Sequence, residues 1–264
     1  MGKRVAIVTG GSSGIGRACA ASLAKAGCTV YEFSRRDVPA EGVIHVGCDI
    51  TDEAQVRSAV ERVISEAGRI DILVNNAGFG ISGAIEATDP ADSHRQLEVN
   101  LFGMDRIARA VLPHMRAAGS GRIVCTSSIA GIVAIPFQAW YSVSKAAINS
   151  YVLALRNEVR PYGISVCAVM PGDIATGFTD ARAKSDAADA AYGGRIARSV
   201  AVMEHDERTG MDPSRAGAFI AKVALRKSSR PLVALGGAYK AVALLEKLLP
   251  ARFVNWLVYL IYAR

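Results

Sequence analysis

Tyr141 and Lys145 stand four residues apart in the stretch Tyr-Ser-Val-Ser-Lys, and Ser128 lies thirteen residues before the tyrosine. On a helix, positions i and i+4 share a face at a separation of about 6 Å. The spacing therefore holds a phenol next to an ammonium. A tyrosine hydroxyl ordinarily titrates at about 10, and a neighbouring cation favours the phenolate. The expectation is a lowered pKa that lets Tyr141 pass a proton near neutral pH. A Tyr-x-x-x-Lys pair also arises by chance on surface helices, so the elements around it have to decide.

Those elements alternate. Apolar β-type runs occupy residues 5–8, 29–33, 43–46, 72–74, 123–126, 165–169 and 231–235. Helical patterns cover 14–26, 52–67 and 142–159. Asp89-Pro90 opens another that runs past Asn100, and Asp212-Pro213 opens one more, since aspartate caps helices and proline is tolerated at the first helical position. Continuous apolar strands separated by helices predict a parallel sheet covered on both faces. The right-handed crossover rule then predicts a doubly wound α/β fold of Rossmann type, about seven strands in a single domain. Two segments break the pattern. Residues 177–211, rich in Ala, Asp, Arg and Gly, are expected to be a mobile substrate loop. Residues 244–264 form an unusually apolar C-terminal tail.

Composition narrows the function. The chain has 264 residues, 51% hydrophobic and 21% charged, a balance that supports a sizeable core and argues against disorder. The net charge is +7, but lysine and arginine are dispersed without a run of five, so no nucleic-acid partner is expected. Cys19, Cys28, Cys48, Cys125 and Cys167 are odd in number and form no C-x-x-C pair. That argues against a disulfide framework or zinc site and fits a reducing compartment. His45, His94, His114 and His205 lack metal-ligand spacing, so no metal is expected. Residues 1–4 run straight into the first strand without an apolar leader, and a cytoplasmic location is expected.

Opposite the tyrosine pair in function stands Thr9-Gly10-Gly11-Ser12-Ser13-Gly14-Ile15-Gly16, which follows the first strand and opens the first helix. Glycines there allow a tight turn and close approach to phosphates, and the helix N-terminus favours a pyrophosphate. The spacing is G-x-x-x-G-x-G, and here the chain resembles the short-chain dehydrogenase/reductase family in its short single-domain branch. Asn75-Asn76-Ala77-Gly78, Asn100 in Val-Asn-Leu-Phe-Gly, Ser128 in Thr-Ser-Ser-Ile-Ala-Gly, Tyr141 and Lys145, and Pro171-Gly172-Asp173-Ile174-Ala175-Thr176 match that family's motifs in order.

The resemblance implies a nicotinamide dinucleotide held by Gly10, Ser12, Ser13, Gly14, Ile15 and Gly16 at the phosphates. It implies Asp49 with Ile50 at the adenine, then Asn76, Ala77 and Gly78, and Pro171, Gly172, Ile174 and Thr176 at the carboxamide. It further implies Tyr141 as general acid/base, Lys145 on the nicotinamide ribose, Ser128 on the substrate oxygen, and Asn100 holding a proton-relay water. The second strand ends in Ser34, Arg35 and Arg36 where NAD-preferring enzymes usually carry an acid. A serine and a guanidinium suit a 2′-phosphate, so NADP(H) is expected over NAD(H). Glu32, two positions earlier on the same face, argues the other way.

Ile129, Ile132, Val133, Ile135, Phe137, Gln138 and Trp140 surround the reacting centre. They favour a lipophilic carbonyl or secondary alcohol, although the same residues would serve packing. The tail, from Leu248, is too short to span a bilayer. It is read as packing on the substrate loop or a partner subunit, as lying in an anionic membrane interface, or as core. Its looser resemblance is to 17β-hydroxysteroid and retinol dehydrogenase-like members, and a homodimer or homotetramer is expected. Two alternatives stay open: a 3-oxoacyl-thioester reductase using Arg95, Arg106 and Arg109 as a carrier-docking patch, and a non-catalytic dinucleotide sensor.

Overall fold

The computed structural model describes residues 2–264. Seven strands form one sheet: β1 (Val5–Thr9), β2 (Thr29–Ser34), β3 (Val43–Gly47), β4 (Ile72–Asn75), β5 (Gly121–Thr126), β6 (Ile164–Met170) and β7 (Leu232–Ala234). All neighbouring pairs are parallel, in the order β3-β2-β1-β4-β5-β6-β7. Strand order reverses between β1 and β4, and the crevice at the carboxyl ends there is where ligands of such sheets bind.

The period-2 alternation of β1 shows how the sheet is covered. Val5 and Ile7 join a core with Val60, Ile107 and Val152, contributed by α2 (Glu53–Ala67), α4 (Met104–Ala117) and α5 (Ala139–Glu158). Ala6 and Val8 join Leu23 and Ile220, from α1 (Gly14–Lys25) and α7 (Pro213–Ala224) on the opposite face. Both faces of the doubly wound sheet are thus buried. All five cysteines are free and buried within these layers.

Helix starts follow the capping logic. Asp52 accepts from the Ala54 and Gln55 amides at the head of α2, Asp89 from Ala91 at α3 (Pro90–Leu97), and Asp212 from Ser214 at α7. One expectation needs correction here: the helix opened by Asp89-Pro90 does not run evenly past Asn100. Between α3 and α4, residues Glu98–Gly103 wind as a π turn. Gly103 closes it against Ile50, whose Cδ1 would lie 2.8 Å from any Cβ at that position.

Residues 177–211 hold a short helix (Phe178–Ala181), a two-residue strand (Ala183–Lys184) parallel to Ile81–Ser82, and helix α6 (Arg195–Arg208). The apolar tail forms the end of two further helices, α8 (Gly237–Leu248) and α9 (Ala251–Tyr262). A small separate core of Ala84, Phe137, Ile196, Met203 and Ala263 ties α6, the end of α9 and the Phe137 turn together. Phe137 adopts a left-handed backbone (φ 57°), a strained choice for a bulky residue, and its ring meets Tyr192 edge-on at 5.6 Å.

Candidate active site

A cavity of about 1300 Å³ runs along the carboxyl edge of the sheet, from the glycine turn to the C-terminal helices. Its nucleotide end is built by backbone geometry. Gly10 (φ 68°) and Gly14 (φ 52°) take left-handed conformations that only glycine adopts freely. At Gly16 a side chain would strike the Gly10 carbonyl at 2.3 Å. Ser13 precedes α1 but makes no side-chain bond to it, and the first turn carries no acid. The helix N–H groups that Asp52, Asp89 and Asp212 satisfy in other helices are therefore left to a ligand at α1. These residues fit a dinucleotide pyrophosphate.

Asn76, expected against the cofactor, spends its side chain on the scaffold. It donates to the Thr9 carbonyl (3.2 Å) and accepts from the Thr126 hydroxyl (3.3 Å), while Thr9 Oγ1 accepts from the Asn76 and Ala77 amides. The three strand ends that cradle the site are thereby laced together. Asp49 lies on the cavity wall with Ile50. Burial pushes its carboxyl up, but two bonds from Thr51 and the Arg35 guanidinium outweigh that and hold it below the usual range. Arg35 and Arg36 are exposed on the rim beside Ser34. Glu32 shares the face of Ser34, as its spacing implied, and accepts from the Ser34 hydroxyl (3.2 Å). It is buried and paired with His45.

The chemical end gathers the four expected residues. Tyr141, Ser128 and Lys145 line the cavity together. Ser128 also makes the local turn bond open to any strand-end hydroxyl, accepting from the Ala130 amide (3.1 Å). Lys145 is buried, donates to the Thr126 carbonyl (2.9 Å) and lies 5.5 Å from the Tyr141 ring centre. Asn100 sits in the π turn, clamped to the Phe79 backbone through both ends of its amide (3.0 Å each) and to Ser144 (3.0 Å). A π turn displaces backbone groups from their usual partners, so Asn100 is a point where the helix is opened beside Lys145.

The electrostatics correct the opening expectation. Burial pushes the Tyr141 hydroxyl up to about 12, opposed by its hydrogen bond with Ser128 and reinforced by the charges of Glu207 and Asp173. Burial likewise pulls Lys145 down to about 8, partly offset by Cys125. Desolvation outweighs the one cation that acts on the phenol, Arg182, while Lys145 is itself stripped of water and committed to Thr126. The direction of the shift keeps the Tyr141 hydroxyl protonated at neutral pH.

Several residues that line or brace the substrate end carried no sequence signal. Tyr239 lies on Gly172 so closely that a Cβ there would fall 2.0 Å from its ring, and its hydroxyl donates to the Asp173 carboxylate. Arg182 is buried, paired with Glu207, and donates to the amide oxygen of Gln138 (3.2 Å) in the orientation that satisfies that amide. Thr179 also donates to Glu207 (2.7 Å). These pairs join residues 25 to 67 positions apart, beyond the reach of local pattern. The remaining wall is apolar, with Ile129, Val133 and Phe178 meeting Val242, Val258 and Ile261 of the C-terminal helices. Of the three readings of the tail, packing over the substrate end is the one its inner face fulfils.

Comparison with known proteins agrees with this geometry. The family model described as short chain dehydrogenase matches residues 4–187. A Bacteroides thetaiotaomicron protein named 3-ketodihydrosphingosine reductase is 42% identical over 233 residues, covering 86% of each chain. The crystal structure of a short-chain dehydrogenase from Streptomyces avermitilis superposes with a TM-score of 0.83 at 31% identity, covering 97% of this chain and 96% of that one. A Brucella melitensis 3-ketoacyl-(acyl-carrier-protein) reductase complexed with NADH gives 0.74 at 26%, covering 90% and 98%. This chain belongs to the short-chain dehydrogenase/reductase family, oxidoreductases acting between carbonyl and alcohol.

Proposed function

We propose that this protein reduces a long-chain, lipophilic ketone using NADPH, with Tyr141 as the proton donor. The observation that carries the reading is a half-buried tyrosine beside Ser128 and Lys145, its hydroxyl pushed up in pKa by desolvation, in a cavity that runs from an apolar chamber to a phosphate-binding turn. The dinucleotide, when bound, supplies the hydride. Tyr141 gives its hydroxyl proton to the carbonyl oxygen, and Ser128 hydrogen-bonds the same oxygen, fixing it toward the acid. Lys145 and Asn100 connect Tyr141 to the opened helix, from which the proton is replaced.

NADPH is favoured by the absence of a free acid at the end of β2. Ser34 stands there, Glu32 is turned to His45, and Arg35 and Arg36 remain exposed for a 2′-phosphate. The name of the Bacteroides relative supports a sphingoid ketone as the substrate type. Carrier-protein docking is disfavoured because Arg106 and Arg109 are already engaged by Glu53, Glu98 and Asp105. Retention of Asn100, Ser128, Tyr141 and Lys145 disfavours a sensor.

The outer face of α8 and α9 supports contact with an anionic bilayer. Leu244, Leu248, Phe253, Trp256 and Tyr259 are exposed beside Lys240, Lys247, Arg252 and Arg264, an arrangement that suits interfacial binding. Among the described residues, no helix is long and apolar enough to cross a membrane. Exposed Phe102, Val143 and Leu153 around α4 and α5 favour a homo-oligomer.

The test is NADPH oxidation against long-chain ketones, steroid and retinoid carbonyls, and acyl thioesters, with wild type and Tyr141→Phe. Tyr141→Phe is expected to lower kcat/KM by roughly 10²–10⁴-fold while leaving NADPH affinity within about threefold. A variant that retains most of its reductase activity refutes the assignment.

A further inference from the structure

We propose that Asp173 selects a substrate bearing an ammonium group next to the reacting ketone. The inference rests on the functional reading above and specifies its substrate.

Asp173 follows Pro171-Gly172 at the end of β6 and lines the same cavity as Ser128 and Tyr141. Much of the surrounding wall is apolar, from Ile129 and Val133 to Phe178, Met203 and Val258, with Arg182, Asp206 and Glu207 the charged groups on that side. An ionised carboxylate in such surroundings is costly unless paired. Among the described residues Asp173 makes no ion pair; its carboxylate accepts one hydrogen bond, from Tyr239. The second acid on this wall differs. Glu207 is neutralised by buried Arg182 and bonded by Thr179, so it is a brace with no charge to spare. Asp206, also nearby, adds negative charge to the same side. Burial pushes the Asp173 carboxyl up, opposed by the Tyr239 hydroxyl and, more weakly, by the Arg182 guanidinium; since Arg182 is already paired with Glu207, the substrate end carries a net negative pole close enough to act on Tyr141.

The pole is also positioned. The Asp173 amide donates to the Tyr239 hydroxyl (3.1 Å) while that hydroxyl donates to the Asp173 carboxylate. Tyr239 in turn occupies the space that a side chain at Gly172 would fill. A phenol locked by a glycine socket leaves the carboxylate little freedom, and it lines the cavity instead of turning into the protein. A fixed carboxylate beside a carbonyl site meets an adjacent ammonium with a charge-assisted hydrogen bond. It also repels anionic substrates. A 3-keto sphingoid base is a long-chain 2-amino ketone, so its chain suits the apolar wall and its amine suits Asp173.

The experiment compares two substrates with NADPH at mildly acidic pH, where the amine is protonated: a long-chain 1-hydroxy-2-amino-3-ketone and the same ketone lacking the amine. The wild type is expected to favour the amino ketone in kcat/KM by at least ~10-fold, the scale of one hydrogen bond to a charged group. Asp173→Asn, nearly isosteric and still able to accept from Tyr239, is expected to erase most of that ratio. Tyr239→Phe, which frees the carboxylate to turn, is expected to reduce the ratio partly. A wild-type ratio near one overturns the role of Asp173 and leaves the ketone-reductase reading intact. A ratio unchanged in folded Asp173→Asn overturns it too, since both activities then fall or stand together as a purely structural role predicts. Turnover of neither ketone removes the functional reading itself.

Discussion

Replacing Lys145 by methionine should abolish activity and yet stabilise the fold near neutral pH. Lys145 is 5% exposed, and its ammonium titrates at about 8 in place of the ordinary 10.5. Below pH 8 the lysine is protonated both folded and unfolded, and the full penalty of burying the charge stands. Between pH 8 and 10.5 the unfolded chain binds more protons, so wild-type stability rises with pH. The shift of 10.5 − 8 = 2.5 units corresponds to about 3 kcal/mol. Methionine removes that penalty but leaves the Thr126 carbonyl without its 2.9 Å partner, a loss of about 1–2 kcal/mol. The net gain at pH 7 is about 1–2 kcal/mol, and Tm should rise by about 2–4 °C per kcal/mol for a domain of this size. The advantage should shrink as pH rises and reverse at about pH 9.5. Thermal melts of both proteins from pH 6.5 to 10.5 measure the difference. A Lys145→Met Tm that lies below wild type by a constant interval across this range would refute the reasoning, because the lysine would then be stabilising in either protonation state.

Arg35→Asp replaces a rim cation with an acid facing the 2′-phosphate. The ratio of kcat/KM for NADPH to that for NADH should fall by at least ~10-fold, the scale of one charge-assisted bond; an unchanged ratio places recognition elsewhere. Gly172→Ala puts a methyl 2.0 Å from the Tyr239 ring, an overpacking worth about 1–3 kcal/mol. The melt should drop by several degrees and KM for a long-chain ketone should rise, whereas a neutral variant would show that α8 shifts freely. Leu248→Glu with Trp256→Glu should abolish sedimentation with anionic liposomes without lowering Tm; wild-type protein that stays in the supernatant rejects the membrane contact.

Much of the scaffold was legible because its signals are local. Short apolar runs, aspartate caps at Asp89 and Asp212, and the glycine turn each lie within a few residues, and the strands fall where those runs are; Asp52, read as the first helical residue, proves to be the cap of α2. Asn100, Ser128, Tyr141 and Lys145 were legible as motifs; Ser128, Tyr141 and Lys145 line one cavity, while Asn100 is buried behind it against Phe79 and Ser144. The sign of the Tyr141 shift was not, because a spacing reveals the neighbouring cation and hides the burial of both partners. Asp173 was visible only as a filler position in its motif. Its meaning depends on Tyr239, 66 residues later, and on the gap at Gly172 that admits the ring. The π turn was missed for a related reason: it is set by Asn100 bonding to Phe79 and Gly103 meeting Ile50, contacts that no helical period encodes.

That π turn has a consequence for how such a chain can change. A π turn accommodates one residue more than the corresponding α-helical path. Loss of a single codon within residues 98–103 would thus give an unbroken helix from α3 into α4, with better backbone hydrogen bonding. The same loss would remove the bulge that carries Asn100 to Phe79 and Ser144. A sturdier helix is one deletion away, and it would come at the expense of the Asn100 bonds beside the site.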